Sequence, residues 1–450
     1  MLSKKNLRQA LEQSASIRMG ASNLFYKEID WADNYHVFVN RIPVAPESDF
    51  PVHAALKRWG GILFGISYIV KDSIDVAGFP TTNGTLALNS NYPSVDNSLV
   101  ARLRTLGAIC IGKANLDEMS YGWSSDNPYF GRVVNPAYPH HSPGGSSGGC
   151  AAGVAGGAAY FAVGEDTVGS LRIPAAFCGV SAYRAPHPGF TTDGVCPLTS
   201  SGYDQLGLIA NTLDDISLLD SLIHEYEELP AVEPIDLHIA VAANFSLAAL
   251  APNVEESMSE AVFKLSGAGA NIVMQEVPAS FELAAHALVT IVNHELLEAF
   301  NCYLGSRAQC PVTLQELLKN VDTSVANKIK ALAFPPGRPS LSAYERAQAV
   351  AGEVKQDVVD YFNKSKCQVL IHPTVGITTP AINYRDQSST DYFALARHVS
   401  VASCAQTVAM NFSVMGPSAL PVGIEMLCSP AIDHKQALAI CRTIETIVKG

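Results

Sequence analysis

A run of glycine, serine and alanine over residues 142–174 constrains the fold of this chain more than any other feature. It reads SPGGSSGGCAAGVAGGAAYFAVGEDTVGSLRIP. Glycine permits positive φ angles and close backbone approach, but inside a helix it costs about 1 kcal/mol relative to alanine. So much glycine around one short helix and strand predicts close packing or exposed backbone N–H groups. A packing motif with incidental serines is the simpler alternative.

Short apolar runs alternate with helical patterns along the rest of the chain. Predicted strands lie at 63–70, 108–111, 160–163, 237–242 and 368–371. Predicted helices lie at 99–106, 148–158, 254–265, 280–304, 343–362 and 433–448, with a further one from the N-cap Thr212 to residue 225. This alternation predicts an α/β layer architecture. Because no segment resembles a linker, a single domain over residues 1–450 is expected.

Charge and cysteine usage exclude several classes of function. The chain of 450 residues has a net charge of −12 and no basic run, so neither nucleic acid nor a membrane surface is an expected partner. No stretch reaches the ~18 apolar residues that would span a bilayer. The ten cysteines include no CxxC pair, which favours buried thiols in a reducing cytoplasm. The histidines show no metal-ligand spacing, so no metal is expected.

Ser170 is the first candidate nucleophile, because it lies where the small-residue strand gives way to LRIP. A serine at such a turn, beside free backbone N–H groups, has the arrangement of a nucleophile next to an oxyanion hole. The GSSGG at 145–149 also matches the GxSxG elbow of α/β-hydrolases, but that elbow requires a strand directly before it. The preceding PHHSP at 139–143 cannot form a central strand. The elbow is therefore disfavoured.

Several motifs, in order along the chain, together resemble the amidase signature family. They are GISYIVKD at 65–72, GKANLDE at 112–118, NPYFG at 127–131, GGSSGG at 144–149, DTVGSLRIPA at 166–175 and LPVG at 420–423. The resemblance covers nearly the whole chain, with a signature core at about 60–215, and motifs in order are far more specific than one alone. It implies a single α/β domain in which helices cover both sides of a central, mixed, twisted β-sheet.

The resemblance implies a Ser–cis-Ser–Lys triad. Ser170 corresponds to the nucleophile, Ser146 to the bridging serine after a cis peptide bond, and Lys71 to the general base. A serine hydroxyl is a weak nucleophile and needs a proton acceptor. Burial of Lys71 at the end of an apolar strand would favour the neutral amine that accepts this proton. Ser146 is expected to relay the proton and to help deliver one to the departing ammonia.

The same resemblance assigns the oxyanion hole to the backbone N–H groups of Thr167, Val168, Gly169 and Ser170. Val168 departs from the family's pattern, which has glycine there. Valine still supplies an N–H, but it rarely tolerates positive φ, and it is expected to narrow the acyl pocket. Ser120 is expected to offer its backbone carbonyl to the substrate amide.

Residues around these motifs have simpler predicted roles. Asp166 is expected to accept N–H bonds from the glycine turn and to pair with Arg172. Cys150 and Cys178 are predicted core residues. The region 280–400 is expected to shape the substrate pocket, and its aromatic residues suit an aromatic acyl group as well as an ordinary core. They include Phe300, Phe334, Tyr384 and Tyr392.

The resemblance implies hydrolysis of the C–N bond of a small carboxamide to a carboxylate and ammonia through an acyl-enzyme, without a metal or an organic cofactor. An aryl- or indole-acetamide is the expected substrate. One alternative is a glutaminase subunit of the amidotransferase A type, which delivers ammonia to a partner. Another is a non-catalytic, amidase-like binding protein. The expected partners are a small-molecule amide and a second copy of the chain in a homodimer.

Overall fold

One eleven-stranded sheet collects strands from both halves of the chain. The computed structural model describes residues 6–13, 30–41, 61–307, 313–382 and 394–450. The strands are β1 (Phe38–Arg41), β2 (Ser67–Lys71), β3 (Ile109–Ala114), β4 (Asp126–Asn127), β5 (Gly131–Arg132), β6 (Phe161–Asp166), β7 (Ser181–Arg184), β8 (Gln205–Ala210), β9 (His238–Val241), β10 (Asn271–Met274), β11 (Val369–Pro373), β12 (Ala409–Met415) and β13 (Pro421–Cys428). The sheet order is β1-β3-β2-β6-β8-β7-β12-β13-β11-β9-β10, and β4 and β5 form a separate ribbon.

Helices cover both faces of this sheet. They are α1 (Leu7–Glu12), α2 (Asp30–Asn34), α3 (Ser98–Thr105), α4 (Gly148–Ala155), α5 (Arg172–Cys178), α6 (Leu213–His224), α7 (Ala243–Ser246), α8 (Pro252–Gly267), α9 (Ala284–Gly305), α10 (Leu314–Leu317), α11 (Thr323–Ala333), α12 (Leu341–Ser365), α13 (Val399–Ala405) and α14 (His434–Lys449). One hydrophobic core packs α3, α6, α8 and α14 against the sheet. A second contains α9 and α12, and a third contains α4. The predicted mixed sheet between helical layers is confirmed.

Side chains of β2 alternate between the two faces because the strand period is two. Tyr68 and Val70 enter the core with α3 and α6, whereas Ile69 enters the core with α4. A strand covered on both sides must be apolar throughout, which explains its continuous run of buried residues. β2 pairs in parallel with both β3 and β6. Lys71 at the end of β2 and Asp166 at the end of β6 therefore lie at the same edge of the sheet.

Most predicted elements agree with observed ones to within a few residues. Thr212 caps α6, with its side chain accepting a hydrogen bond from the Asp215 N–H at 3.1 Å, as predicted. The predicted helix at 280–304 is instead a 3₁₀ turn at Ala279–Leu283 followed by α9. The strands β1, β4, β5, β7, β8, β10, β12 and β13 were not predicted. Within the described residues, every helix is too short or too polar to cross a membrane.

Candidate active site

Lys71 lies in the interior, at the end of a strand whose five residues are all buried. Its side chain is completely excluded from solvent. The Lys71 Nζ atom lies 2.7 Å from Ser146 Oγ and 2.6 Å from Glu165 Oε1. The structure thus brings the predicted base into direct contact with the predicted bridging serine.

Ser146 is held by the glycine-rich loop that precedes α4. The Gly145–Ser146 peptide bond is cis. A Cβ atom on Gly145 would lie 2.1 Å from Asp117 Oδ2, so glycine is required at this close approach. The Ser146 carbonyl accepts hydrogen bonds from the Asp117 N–H and the Ser125 hydroxyl, both at 3.3 Å. These contacts fix the backbone from which the Ser146 hydroxyl reaches Lys71.

Ser170 lies in the turn between β6 and α5. Gly169 has φ +86°, a left-handed conformation that glycine adopts readily, and it turns the chain from strand to helix. The Ser147 N–H donates to the Ser170 carbonyl at 3.1 Å, which joins this turn to the loop that carries Ser146. Ser170 is 3% exposed. Its hydroxyl makes no hydrogen bond with any residue that the structure describes.

Glu165 is a member of this cluster that the sequence analysis missed. It lies in β6 directly before Asp166, and its Oε1 atom accepts hydrogen bonds from Lys71 Nζ and, at 3.4 Å, from Ser73 Oγ. Its Oε2 atom is buried and has no hydrogen-bond partner among the described residues. A buried carboxylate is costly unless a cation pairs with it. Lys71 supplies that cation or shares its proton.

The four predicted oxyanion donors differ in their availability. The Gly169 N–H donates to Asp166 Oδ1 at 2.9 Å, so it is already engaged in this structure. The N–H groups of Thr167, Val168 and Ser170 have no acceptor within the described part of the chain. The Thr167 hydroxyl donates a hydrogen bond to Asp204 Oδ1 at 2.5 Å. Three of the four groups thus remain for an oxyanion.

Val168 fits the turn because the positive φ falls on the next residue. Gly169 has φ +86°, whereas Val168 is not among the residues of positive φ. Val168 is 6% exposed and packs in a core that includes Met119. Its carbonyl accepts a hydrogen bond from the Trp123 indole N–H at 3.0 Å. A branched side chain beside the nucleophile turn therefore stands among apolar and aromatic neighbours.

A network of buried charged residues stabilises the turn that carries Ser170. Asp166 accepts hydrogen bonds from the Gly169 and Leu171 N–H groups and from the Arg172 guanidinium, as predicted. Arg172 also pairs with Glu425 of β13. Burial alone would raise the pKa of Asp166, but the charge and hydrogen bonds of Arg172 outweigh it and lower that pKa to about 2. For Glu425 burial dominates and raises the pKa to about 7, despite Arg172.

Replacing Asp166 with asparagine should destabilise the protein by about 3–5 kcal/mol, because Arg172 loses a buried counter-charge. Since the Asp166 pKa is lowered, the wild type should keep this contribution above pH ~4 and lose it as the pH falls toward 2. Urea unfolding at neutral and acidic pH measures both effects. Asp214→Asn is the control, because Asp214 is 42% exposed in its pair with Arg8 and should cost under about 1 kcal/mol. Equal losses in the two variants would contradict the role given to the network.

Ser120 lies near the loop that carries Ser146 but does not touch the triad. Met119 and Ser120 have φ +63° and +55°, a left-handed pair that costs about 1–2 kcal/mol per residue without glycine. The Ser120 N–H donates to the Asp117 carbonyl, and the Asp117 N–H donates to that of Ser146. The Ser120 hydroxyl donates to Asn83 Oδ1 at 3.0 Å. Among the described residues, nothing donates to the Ser120 carbonyl.

The other residues singled out in the sequence lie mostly in the core. Cys150 and Cys178 are buried, as predicted, and burial raises the pKa of the Cys150 thiol to about 12. Phe300 lies on α9 and is completely buried in the hydrophobic core. Tyr384 and Tyr392 lie outside the described residues.

Comparison with known sequences gives matches along most of the chain. The sequence model of the family described as Amidase matches residues 44–436. An indoleacetamide hydrolase of Allorhizobium ampelinum is 28% identical over 87% of this chain and 86% of its own length. A mandelamide hydrolase of Pseudomonas putida is 30% identical over 86% of this chain and 79% of its own length.

Comparison with solved structures gives the same architecture. The native peptide amidase of Stenotrophomonas maltophilia superposes with a TM-score of 0.77. The match covers 98% of this chain and 94% of that one, at 22% sequence identity. At this identity the likeness concerns the fold.

Proposed function

The chain belongs to the amidase family and hydrolyses the C–N bond of carboxamides, and on that premise we propose that Ser170, Ser146 and Lys71 carry out the reaction. Ser170 is the nucleophile, Ser146 the bridging acid–base group and Lys71 the base. The observation that carries this proposal is the contact between the buried Lys71 Nζ and Ser146 Oγ at 2.7 Å. A lysine removed from water and hydrogen-bonded to a serine is suited to take that serine's proton.

Acylation begins when the Ser170 oxygen attacks the amide carbon. The Ser170 proton passes to Ser146 Oγ as the Ser146 proton passes to Lys71 Nζ. When the tetrahedral intermediate collapses, the C–N bond breaks and Ser146 gives a proton to the leaving nitrogen, while Lys71 returns one to Ser146. Ammonia leaves from a primary amide. Water then attacks the acyl-enzyme through the same relay, releasing the carboxylate and restoring Ser170.

Oxyanion stabilisation comes from the free backbone N–H groups of Thr167, Val168 and Ser170. Their availability in the described structure supports this assignment. Each such donor typically contributes about 10²–10³-fold in kcat because it is oriented before charge develops. Asp166 holds the turn by taking the Gly169 N–H for itself. The left-handed backbone at Ser120 supports a role for its carbonyl in orienting the substrate NH₂ group.

Glu165 is placed to exchange a proton with Lys71. The two groups lie 2.6 Å apart and are both buried, so they are neutral as a pair whether the shared proton rests on nitrogen or oxygen. In a medium of low dielectric, the cost of desolvating two charges offsets much of their attraction. Transfer of the proton to Glu165 leaves Lys71 as the free amine, without separating charge over any distance.

An aryl- or indole-acetamide is the substrate class we assign. The names of the two relatives above, an indoleacetamide hydrolase and a mandelamide hydrolase, support an aromatic acyl group. The apolar surroundings of Val168, which shares a hydrophobic core with Met119 and whose carbonyl accepts a hydrogen bond from Trp123, also suit such a group. Apolar surface of this kind favours aromatic over charged acyl groups.

Ammonia release from a panel of primary amides tests this function. The panel contains indoleacetamide, mandelamide, benzamide, short aliphatic amides and glutamine. Release that is fastest with the aryl-acetamides is the expected result. Release from aliphatic amides alone would contradict the substrate class. Release from glutamine alone would favour a glutaminase of the amidotransferase A type, whose partner should then co-purify.

Replacing Val168 with glycine should widen the acyl pocket. We expect the kcat/KM ratio of bulky to small acyl amides to rise by about tenfold or more, the range that a few methyl groups produce in a tight pocket. The measurement is the same amide panel. Val180→Gly removes another buried valine and serves as the matched control for lost packing. An unchanged kcat/KM ratio of bulky to small acyl amides in Val168→Gly would contradict the prediction that Val168 narrows the acyl pocket.

We also assign the protein to a reducing compartment, the cytoplasm. All nine described cysteines are free thiols, and eight of them are buried. The sulfur atoms of Cys428 and Cys441 lie 3.6 Å apart without a bond, an arrangement that persists where thiols stay reduced. The homodimer remains a prediction, which light scattering of the purified chain can test.

A further inference from the structure

Three potential metal ligands from two helices meet at one point. Asp220 and His224 lie one turn apart on α6, and His434 is the first residue of α14. The His224 Nε2 atom lies 3.6 Å from Asp220 Oδ1, and the His434 Nε2 atom lies 3.4 Å from Asp220 Oδ2. All three groups can place a ligand atom within 4.8 Å of the others. The sequence analysis predicts no metal, because this cluster joins positions far apart in the chain.

Both distances are close to those between two ligands of one zinc ion, and each involves a different oxygen of Asp220. Nitrogen and oxygen ligands at about 2.0–2.2 Å from zinc are about 3.3–3.5 Å apart in tetrahedral geometry. Neither contact is a hydrogen bond: among the described residues, the buried Asp220 Oδ1 and His434 Nε2 atoms have no hydrogen-bond partner. Asp220 is completely buried. Two buried polar atoms without a hydrogen-bond partner at one place call for an additional group beside them, such as an ion or a water molecule.

Neighbouring aromatic rings hold the ligands in these orientations. The Phe190 ring stacks on His224 at 5.3 Å and 9°, and the Tyr226 ring meets His434 edge-on at 5.8 Å. The Tyr226 hydroxyl donates to Asp220 Oδ2 at 2.7 Å. Such outer contacts are what fixes ligand orientation in metal sites.

We propose that Asp220, His224 and His434 form a binding site for a divalent transition metal, of which zinc fits best. Two imidazoles and one carboxylate are ligands that zinc and cobalt accept, with water in the fourth position. The ion ties the start of α14 to the end of α6. Its role is structural, because none of its ligands belongs to the triad or to the oxyanion turn.

Zinc binding by the purified full chain tests this proposal. After dialysis against Zn²⁺ and removal of unbound ion, elemental analysis should find one equivalent per chain, and Tm should rise with Zn²⁺ concentration. Both effects should be lost in His224→Ala and His434→Ala. They should persist in His238→Ala, a control at an exposed histidine of β9. Lys435, whose Nζ lies 4.4 Å from the Tyr226 ring centroid, places a positive charge beside the site. Lys435→Met should therefore bind zinc severalfold more tightly.

Cobalt gives a second readout that does not depend on stability. Co²⁺ bound by two imidazoles and a carboxylate in tetrahedral geometry absorbs visible light. The wild type should show this absorption, and the folded His434→Ala variant should not. Absence of bound zinc in the wild type, or equal binding in the His224→Ala and His434→Ala variants, would overturn the proposal. Zinc bound by cysteines instead would leave zinc binding unchanged in the His224→Ala and His434→Ala variants.

Discussion

Ser170→Ala should lower kcat for amide hydrolysis by at least about 10⁴-fold while leaving the fold intact. Removal of a serine nucleophile typically costs about 10⁴–10⁶ in kcat, because only oxyanion stabilisation and binding remain. The loss of one hydroxyl that makes no hydrogen bond in the described structure should leave the unfolding free energy within about 0.5 kcal/mol. Ammonia release and urea unfolding of the same preparation measure the two quantities.

Ser147→Ala provides the matched serine control. Ser147 is also buried and adjoins Ser146, but its hydroxyl points at the Glu165 carbonyl, 3.4 Å away. Its N–H, which holds the Ser170 carbonyl, is retained in alanine. We expect kcat within a few fold of wild type. Mass spectrometry of the wild-type protein after reaction with a slowly hydrolysed ester should detect an acyl group on Ser170. Turnover in Ser170→Ala within tenfold of wild type would end its assignment as the nucleophile.

Lys71→Met should abolish turnover nearly as completely and should also destabilise the protein. The base is lost, and Glu165 is left as a buried carboxylate without its partner. Breaking a buried pair on one side costs about 3–5 kcal/mol. Kinetics and urea unfolding should therefore both change, unlike in Ser170→Ala, where only the kinetics change.

A double-mutant cycle with Glu165→Gln separates the two effects of Lys71. In the double variant Lys71→Met/Glu165→Gln the unpaired charge is gone, so much of the lost stability should return while activity stays absent. Glu165→Gln alone keeps a hydrogen-bond acceptor beside Lys71 but cannot hold its proton. We expect kcat to fall by about 10²-fold, the lower range for a group that aids proton transfer. Full activity in this variant would remove Glu165 from the relay.

The sequence was most informative where local chemistry alone decides structure. The apolar run that becomes β2 and the Thr212 cap of α6 needed no long-range knowledge. The strands β12 and β13 were missed because polar residues interrupt their short apolar runs, which periodicity cannot classify. Arg172 contacts one polar residue of each strand: Asn411 donates to its carbonyl, and Glu425 pairs with its guanidinium.

The site shows the same division. The motifs identified Lys71, Ser146 and Ser170 as candidates, but not Glu165. Glu165 contacts Lys71 only because β2 and β6 pair in parallel, across 94 residues of sequence. In the same way, that the Gly169 N–H is used by Asp166 follows from the detailed path of the turn. Such facts depend on three-dimensional register, which a motif does not encode.

The pairing of Arg172 with Glu425 has a consequence for the synthesis of the protein. The two residues are 253 positions apart, and the later one lies in a strand near the middle of the sheet. At 5–20 residues per second, a ribosome needs roughly 13–50 s to reach Glu425 after it has added Arg172. During that interval the nucleophile turn lacks the strand that braces it. We therefore expect the nascent chain to stay inactive until β13 has joined the sheet.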